Sequence, residues 1–283
     1  MRFPSYAKVN LRLDILKKRD DGYHDLRTIL QPIDLCDTLH FTLKEEKGIS
    51  ITTDHPGLPL GKGNLVYQAV EAISSKSAYG GGVRVHIQKK IPLGAGLGGG
   101  SSNAAVALKA MSELLKLNLP RRGLIETGLE IGADVPFFFI EGSAIAFGIG
   151  ERLKRMELPD QWYVLIYPNF EVSTRWAYQN FVLTKRRFHL SFNRLKTPKA
   201  VSRILSNDLE EVVSSRHPEI DLMKEILCSA GALGALMTGS GPTVFGIFAD
   251  KQEASKAFRR VKRDPRTRGW LVLKTRSLPR IPE

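Results

Sequence analysis

The residues whose types and spacing could do chemistry begin with a glycine-rich run. Pro92, Leu93, Gly94, Ala95, Gly96, Leu97, Gly98, Gly99, Gly100, Ser101 and Ser102 follow one another and lead into an alanine-rich stretch, Ala104 to Leu115, read as a helix. So much glycine leaves backbone N–H groups unshielded. A helix start adds further free N–H groups and the positive end of the helix macrodipole. Together they make a cradle for phosphate. Ser101, Ser102 and Asn103 have the side chains of helix N-caps, which places the helix start after them. Val83 to Gln88, just before the loop, alternates apolar and polar residues as a strand does. Strand, glycine loop and helix are the context that phosphate binding requires. No Gly-Lys-Ser/Thr follows, so this is not a Walker A loop. A GxGxxG can be read at Gly94, Gly96 and Gly99, but the βαβ unit and acidic ribose ligand of a dinucleotide fold do not follow it.

Phosphoryl transfer also needs a cation near the transferred group and a group that orients or deprotonates the acceptor. Asp134 lies in Gly132-Ala-Asp-Val-Pro-Phe-Phe-Phe139, a lone carboxylate beside an apolar run that could tune its pKa. It reads equally as a helix cap, with Pro136 inside the first turn. Lys8 and Asn10 share one side of the first strand, where an ordinary exposed lysine is the alternative. Thr238-Gly239-Ser240-Gly241-Pro242 joins two apolar runs, either as a plain tight turn or as a second set of N–H donors for phosphate. Tyr23 and His24 follow an Asp-Gly turn and could stack on and hydrogen-bond a base. The remaining histidines have no metal-ligand spacing, and no Ser/His/Asp nucleophile pattern occurs.

The elements that must position these residues follow from periodicity. Ala7, Val9, Leu11, Leu13 and Ile15 form one face of a strand, with Tyr6, Lys8, Asn10, Arg12 and Asp14 on the other. Further strands are read over 26–33, 37–44 and 48–53. A helix over 64–75 is capped by Asn64, and one over 119–131 is opened by Pro120 and closed by Gly132. A hairpin spans 143–156 around Gly150. The pattern restarts near residue 158: a strand at 162–167, a helix from Ser173 to Phe181, a polar, basic linker over 182–200, and helices at 207–214 and 217–229. Strands at 232–237 and 243–248, a helix at 251–263 and a strand at 270–276 complete it. This second half reads β-α-(α)-β-β-α-β, an α+β sandwich of ferredoxin-like type.

The chain has 283 residues, 42% hydrophobic and 25% charged, enough for one large or two medium domains. Cys36 and Cys228 lack metal-ligand neighbours and read as reduced thiols. No secretory leader and no apolar run of membrane-spanning length is found, so a cytoplasmic location with no membrane partner is expected. The net charge is +13, which keeps nucleic acid open as a partner. The late basic run lies on a helix whose Ala254, Ala257, Phe258 and Val261 face a core. No nucleic-acid-binding signature accompanies it, so steering of small anionic substrates is the expected use.

Four pieces in this order, Ala7-Lys8-Val9-Asn10-Leu11, the loop 92–102, Gly132-Ala-Asp-Val-Pro136 and Thr238-Gly-Ser-Gly-Pro242, resemble the GHMP small-molecule kinases over nearly the whole chain. The resemblance implies an α+β, two-domain fold: an N-terminal ribosomal-protein-S5-like α/β domain over 1–157 and a C-terminal ferredoxin-like α/β sandwich over 158–283. Lys-Val-Asn-Leu followed by Arg19-Asp-Asp-Gly-Tyr-His-Asp-Leu26, with Gly-Ala-Asp-Val-Pro-Phe-Phe, is similar to the members that phosphorylate the 2-hydroxyl of 4-diphosphocytidyl-2-C-methyl-D-erythritol in the non-mevalonate route to isoprenoid precursors. ATP is then the donor, its phosphates against residues 92–102 and with Asn64 at its site. Mg²⁺ accompanies it, with Ser102 a candidate contact and no ligand set fixed. Asp134 takes the proton of the 2-hydroxyl, and Lys8 stands beside it. Asn10 helps place the substrate. Tyr23 and Tyr178 sandwich the cytosine, His24 reads its edge, and Thr174, Gly239, Ser240 and Gly241 contact the substrate; family members often carry Phe where Tyr178 stands. A small-molecule substrate, no nucleic acid, and a monomer or weak homodimer are expected. Two other readings remain: a mevalonate- or homoserine-type kinase of the same family, and a basic nucleic-acid-binding protein on a kinase-like fold.

Overall fold

The computed structural model describes residues 1–183 and 195–280. Residues 184–194 of the expected basic linker 182–200, Lys185-Arg186-Arg187 among them, and the last three residues of the basic tail lie outside the described residues. The chain divides into two compact units that interleave along the sequence: Met1–Ala7, Leu35–Leu93 and Gly98–Glu141 in the first; Lys8–Asp34, Gly94–Leu97 and the chain from Gly142 in the second. Two long strands, β1 (Arg2–Lys18) and β2 (His24–Lys44), run through both.

In the first unit, β3 (Gly48–Thr53) lies parallel to β4 (Gly82–Gln88), and β4 pairs antiparallel with the second half of β2, from Thr38 opposite Gln88 to Lys44 opposite Gly82. Helices α1 (Leu65–Ser74), α2 (Gly99–Leu114) and α3 (Arg121–Ile131), with a 3₁₀ turn at Val135–Phe139, pack on one another. Their shared core holds Val66, Val70, Ala104, Leu108, Met111, Phe137 and Phe139, all buried. Asn64 caps α1 as its type suggests, accepting from Val66 N at 2.9 Å.

In the second unit, the first half of β2 pairs antiparallel with β5 (Ala144–Gly148), which turns into β6 (Arg152–Arg155). The expected strands 26–33 and 37–44 are therefore one strand that changes partner midway. β7 (Trp162–Tyr167) is followed by α4 (Thr174–Gln179), α5 (Pro198–Ser202), β8 (Ser206–Asn207), α6 (Glu210–Arg216), α7 (Glu219–Ser229), β9 (Gly234–Met237), β10 (Val244–Phe248), α8 (Lys251–Arg263) and β11 (Leu271–Arg276). β7, β9, β10 and β11 form an antiparallel sheet in the order β11-β7-β10-β9, the strand order of the expected ferredoxin-like sandwich. α7 and α8 pack on this sheet, and the intervening core takes Met223, Ile226, Leu227, Ala254, Ala257 and Val261, with Phe258 against it.

Four further expectations change. The helix after the glycine loop starts at Gly99, not Ala104, so Ser101, Ser102 and Asn103 lie inside it and cap nothing; Gly98, left-handed at φ 70°, takes the cap position with no side-chain bond. Its freedom at positive φ lets the chain enter the helix earlier than capping chemistry suggests. The polar side of β1 is not exposed: Lys8, Asn10, Arg12 and Asp14 are all buried. Residue 207, expected to start a helix, instead lies in the short strand β8, parallel to β1 at Arg12 and Leu13, and the helix follows at Glu210. The expected linker 182–200 contains the start of α5, because Thr197 Oγ1 accepts from Ala200 N at 3.1 Å and Pro198 suits the first helical turn.

Candidate active site

The second unit holds the loop apex, Gly94–Leu97, against the start of the polar row on β1. Lys8 N donates to Leu97 O at 3.0 Å. Lys8 Nζ donates to Gly96 O at 3.0 Å and to Asn10 Oδ1 at 2.6 Å. Asn10 N donates to Thr238 Oγ1 at 2.9 Å, and Asn10 Nδ2 to Thr28 Oγ1 at 2.8 Å. Thr28 Oγ1 in turn donates to Arg12 O at 2.6 Å. Lys8, Asn10 and Thr28 thus satisfy one another and the neighbouring backbone, as burial demands. The row continues in Arg12 and Arg27, both paired to the Asp14 carboxylate.

Two glycines make the close approach possible. Gly96 sits at φ 74°, and a Cβ there would lie 2.2 Å from Thr238 O. Gly239 sits at φ 59°, where a Cβ would lie 3.3 Å from Asn10 Oδ1 and 3.4 Å from Lys8 Nζ. The second glycine turn is thus no free-standing hairpin loop: it lies against the lysine, the asparagine and the loop apex. Asn207 fixes it from behind, its Nδ2 donating to Met237 O and Gly239 O at 2.8 Å each. Thr174 and Ser240, both expected at the substrate, meet through their hydroxyls at 2.8 Å. Gly241 precedes a cis bond to Pro242.

The expected base-reading residues fall in the same unit. The rings of His24 and Tyr178 lie 5.4 Å apart at 32°. Tyr23 is 60% exposed, leaving its ring face free to stack. Burial, and then the charge of Lys18, lower the His24 pKa, so the ring is neutral at pH 7 and offers both a donor and an acceptor.

The first unit holds Pro92, Leu93 and Gly98 to Ser102, together with Asn64 and Asp134. α2 presents the free N–H groups of its first turn at Gly99, Gly100 and Ser101. A Cβ on Gly132 would come within 4.0 Å of Ser101 Oγ, so the segment before Asp134 runs close to this helix start. Asp134 occupies the N-cap position of the 3₁₀ turn but makes no side-chain capping bond. Ser102 is buried, and its hydroxyl accepts from Ser5 Oγ at 2.7 Å. Asn64 spends its amide on Val66 N and on Pro59 O. No group of three His, Cys, Asp or Glu side chains suited to a metal ion occurs among the described residues.

Sequence reasoning missed Thr28, Asn207 and Asp37. Thr28 and Asn207 carry no local pattern, because their value comes from Asn10 and the turn at Gly239, far away in the chain. Asp37, whose Oδ1 accepts from Lys90 N and Ile91 N just before the glycine loop, stands in a run that reads as an ordinary strand.

Known proteins resemble this chain in sequence and in fold. The model of the GHMP kinase N-terminal domain matches residues 64–142, and that of the GHMP kinase C-terminal domain matches 190–266. A 4-diphosphocytidyl-2-C-methyl-D-erythritol kinase of Geobacter sulfurreducens is 46% identical over 274 residues, covering 96% of this chain and 97% of the relative. One from Syntrophus aciditrophicus is 46% identical over 281 residues, covering 98% and 99%. Among solved structures, a 4-(cytidine 5'-diphospho)-2C-methyl-D-erythritol kinase superposes with a TM-score of 0.82 at 31% identity, covering 98% of this chain and 99% of that one. A homoserine kinase from Cytophaga hutchinsonii gives a TM-score of 0.73 at 20% identity, a likeness of fold alone.

Proposed function

Since the chain belongs to the GHMP kinases, and among them to the 4-diphosphocytidyl-2-C-methyl-D-erythritol kinases, we propose how its own residues carry out that family's reaction. The enzyme transfers the γ-phosphoryl group of ATP to the 2-hydroxyl of 4-diphosphocytidyl-2-C-methyl-D-erythritol, giving the 2-phosphate and ADP, in the non-mevalonate route to isoprenoid precursors. What carries the substrate assignment is the 46% identity sustained over 96% of the chain.

The roles of individual residues are our own reading. The N–H groups of the glycine loop and of the first turn of α2 hold the ATP phosphates. Asp134 accepts the proton of the 2-hydroxyl as its oxygen attacks the γ-phosphorus, and the bond to the β-phosphate oxygen breaks to release ADP. Lys8 acts in the same transfer, offsetting charge on the transferring group. Its burial and its two bonds to neutral oxygens support this, since they aim the ammonium rather than leave it to solvent. Asn10, Thr174, Ser240 and the backbone of Gly239 and Gly241 place the acceptor. Tyr23 and Tyr178 flank the cytosine and His24 bonds its edge. Asn64 braces the nucleotide side by fixing the start of α1.

Mg²⁺ would enter with the ATP phosphates and keep several of its waters, so that few ligands are asked of the protein. A resident cluster of carboxylates is not needed for such an ion, and the Ser102 hydroxyl is the protein oxygen suited to it. The ion would offset charge on the phosphates. We also propose a division at residue 157 into two family modules, 1–157 and 158–283; the matched segments 64–142 and 190–266 fall on either side. A cytoplasmic location suits its two cysteines, Cys36 and Cys228, which form no disulfide, and we expect a monomer or weak homodimer. No helix among the described residues is long and apolar enough to cross a membrane.

The test offers ATP with the cytidine substrate, mevalonate or homoserine and follows ADP release. Turnover of the first alone is expected. Turnover of mevalonate or homoserine without the cytidine substrate would overturn the assignment.

A further inference from the structure

Asp37 is fully buried in the second half of β2. Its Oδ1 accepts from Lys90 N at 2.7 Å and from Ile91 N at 2.9 Å. Its Oδ2 accepts from Asn103 Nδ2 at 3.0 Å and pairs with Lys89 Nζ, whose side chain is 2% exposed. Lys89 to Ile91 is the stretch that leaves β4 and enters the glycine loop. Asn103 lies near the start of α2, just after the loop. One carboxylate therefore holds both ends of the phosphate loop. Asn103 extends the hold, its Nδ2 also donating to Ser5 Oγ at 2.8 Å, and Ser5 donates to Ser102 Oγ at 2.7 Å.

The packing leaves little slack. A Cβ on Gly99, the first residue of α2, would lie 2.9 Å from Ile91 Cγ2 and 3.3 Å from Lys89 Nζ. The helix start is pressed against the strand end, and the distance between them is set by the ion pair and the amide. A buried ion pair is a poor source of stability compared with apolar packing of the same volume. What it supplies is fixed geometry, because a carboxylate with four donors has one arrangement that satisfies them all.

We infer that Asp37 is a positioning residue for ATP: with Lys89 and Asn103 it sets the span between the strand exit and the first turn of α2, and so the spacing of the N–H groups that grip the phosphates. This rests on the kinase reading above. It acts through the loop and touches no substrate.

The test uses the full chain carrying Asn103→Ala, which removes the helix end of the clasp and leaves Asp37 three of its donors. Asn103→Ser, too short to reach the carboxylate, serves if that variant does not fold. KM is measured for ATP and for the cytidine substrate, and ADP binding is measured by calorimetry. A loosened loop raises KM for ATP and weakens ADP about tenfold, the cost of one hydrogen bond to a charged group, while KM for the cytidine substrate stays within about twofold. Asp37→Asn, which turns an amide toward Lys89, gives the larger loss. A purely structural role would lower the melting temperature, or shift both KM values alike, with ADP affinity of the folded variant unchanged; either result overturns the inference. Failure of the wild type to turn over the cytidine substrate would instead overturn the functional reading, and ADP affinity would still judge the clasp.

Discussion

Gly96→Ala tests the junction on which the site is built. Gly96 is held at φ 74°, and its new Cβ would lie 2.2 Å from Thr238 O. The left-handed conformation alone costs an alanine about 1–2 kcal/mol. The overlap must open by roughly 1 Å to reach ordinary contact, which pulls Gly96 O from Lys8 Nζ, now 3.0 Å away. A hydrogen bond to a charged group contributes about 1.5–3 kcal/mol. The sum is about 2.5–5 kcal/mol, or about two to nearly four powers of ten if it falls on the active arrangement. Steady-state ADP release gives kcat/KM, and thermal melting gives stability. The expected result is a fall of about a hundredfold or more in kcat/KM, with a melting temperature lowered by a few degrees. Gly123→Ala is the control: it sits in α3 with its nearest new contact at 3.8 Å from Pro120 Cγ, and alanine there gains helix propensity. Wild-type kcat/KM and melting in Gly96→Ala would refute the close approach of the loop and the second glycine turn.

Three further outcomes follow from the site. Asp134→Asn should lower single-turnover phosphoryl transfer by about 10²–10⁴-fold and leave ADP affinity near wild type; an undiminished rate removes Asp134 as the base. Tyr178→Ala should raise KM for the cytidine substrate by about tenfold, the scale of one base-stacking contact, while Tyr178→Phe keeps the ring and the KM; equal effects of the two would deny stacking. The lowered pKa of His24 means that the folded protein binds its proton less readily than the unfolded chain. Stability is therefore unaffected above the unfolded value near 6.5, and falls as pH drops from there to the lower folded value. Urea unfolding across that window should show this slope, and His24→Gln should remove it.

The sequence by itself determined the elements and the order of the chemical motifs. Strand alternation over 83–88, the five glycines of the loop, the Pro120 and Gly132 limits of α3 and the β-α-β-β-α-β order of the second half are local patterns. Backbone sterics and hydrophobic periodicity act over a few residues, so each could be read where it stands. Asp134 and Lys8 were legible as chemistry-bearing types, while the roles given to them came from the resemblance of whole motifs.

Tertiary structure decided what those residues face. The polar row of β1 reads in sequence as a solvent face, yet Lys8 and Asn10 are buried because Gly96 O accepts from Lys8, and Thr238, 228 residues beyond Asn10, and Thr28 supply partners for Asn10. Ser102 and Asn103 have the types of helix caps, but their bonds go to Ser5 and Asp37, close to 100 and 66 residues away. Once those partners satisfy them, the helix is free to start earlier, at Gly99. A buried polar side chain is stable only where its partners converge, and convergence of segments distant along the chain is a property of the fold that no local spacing records.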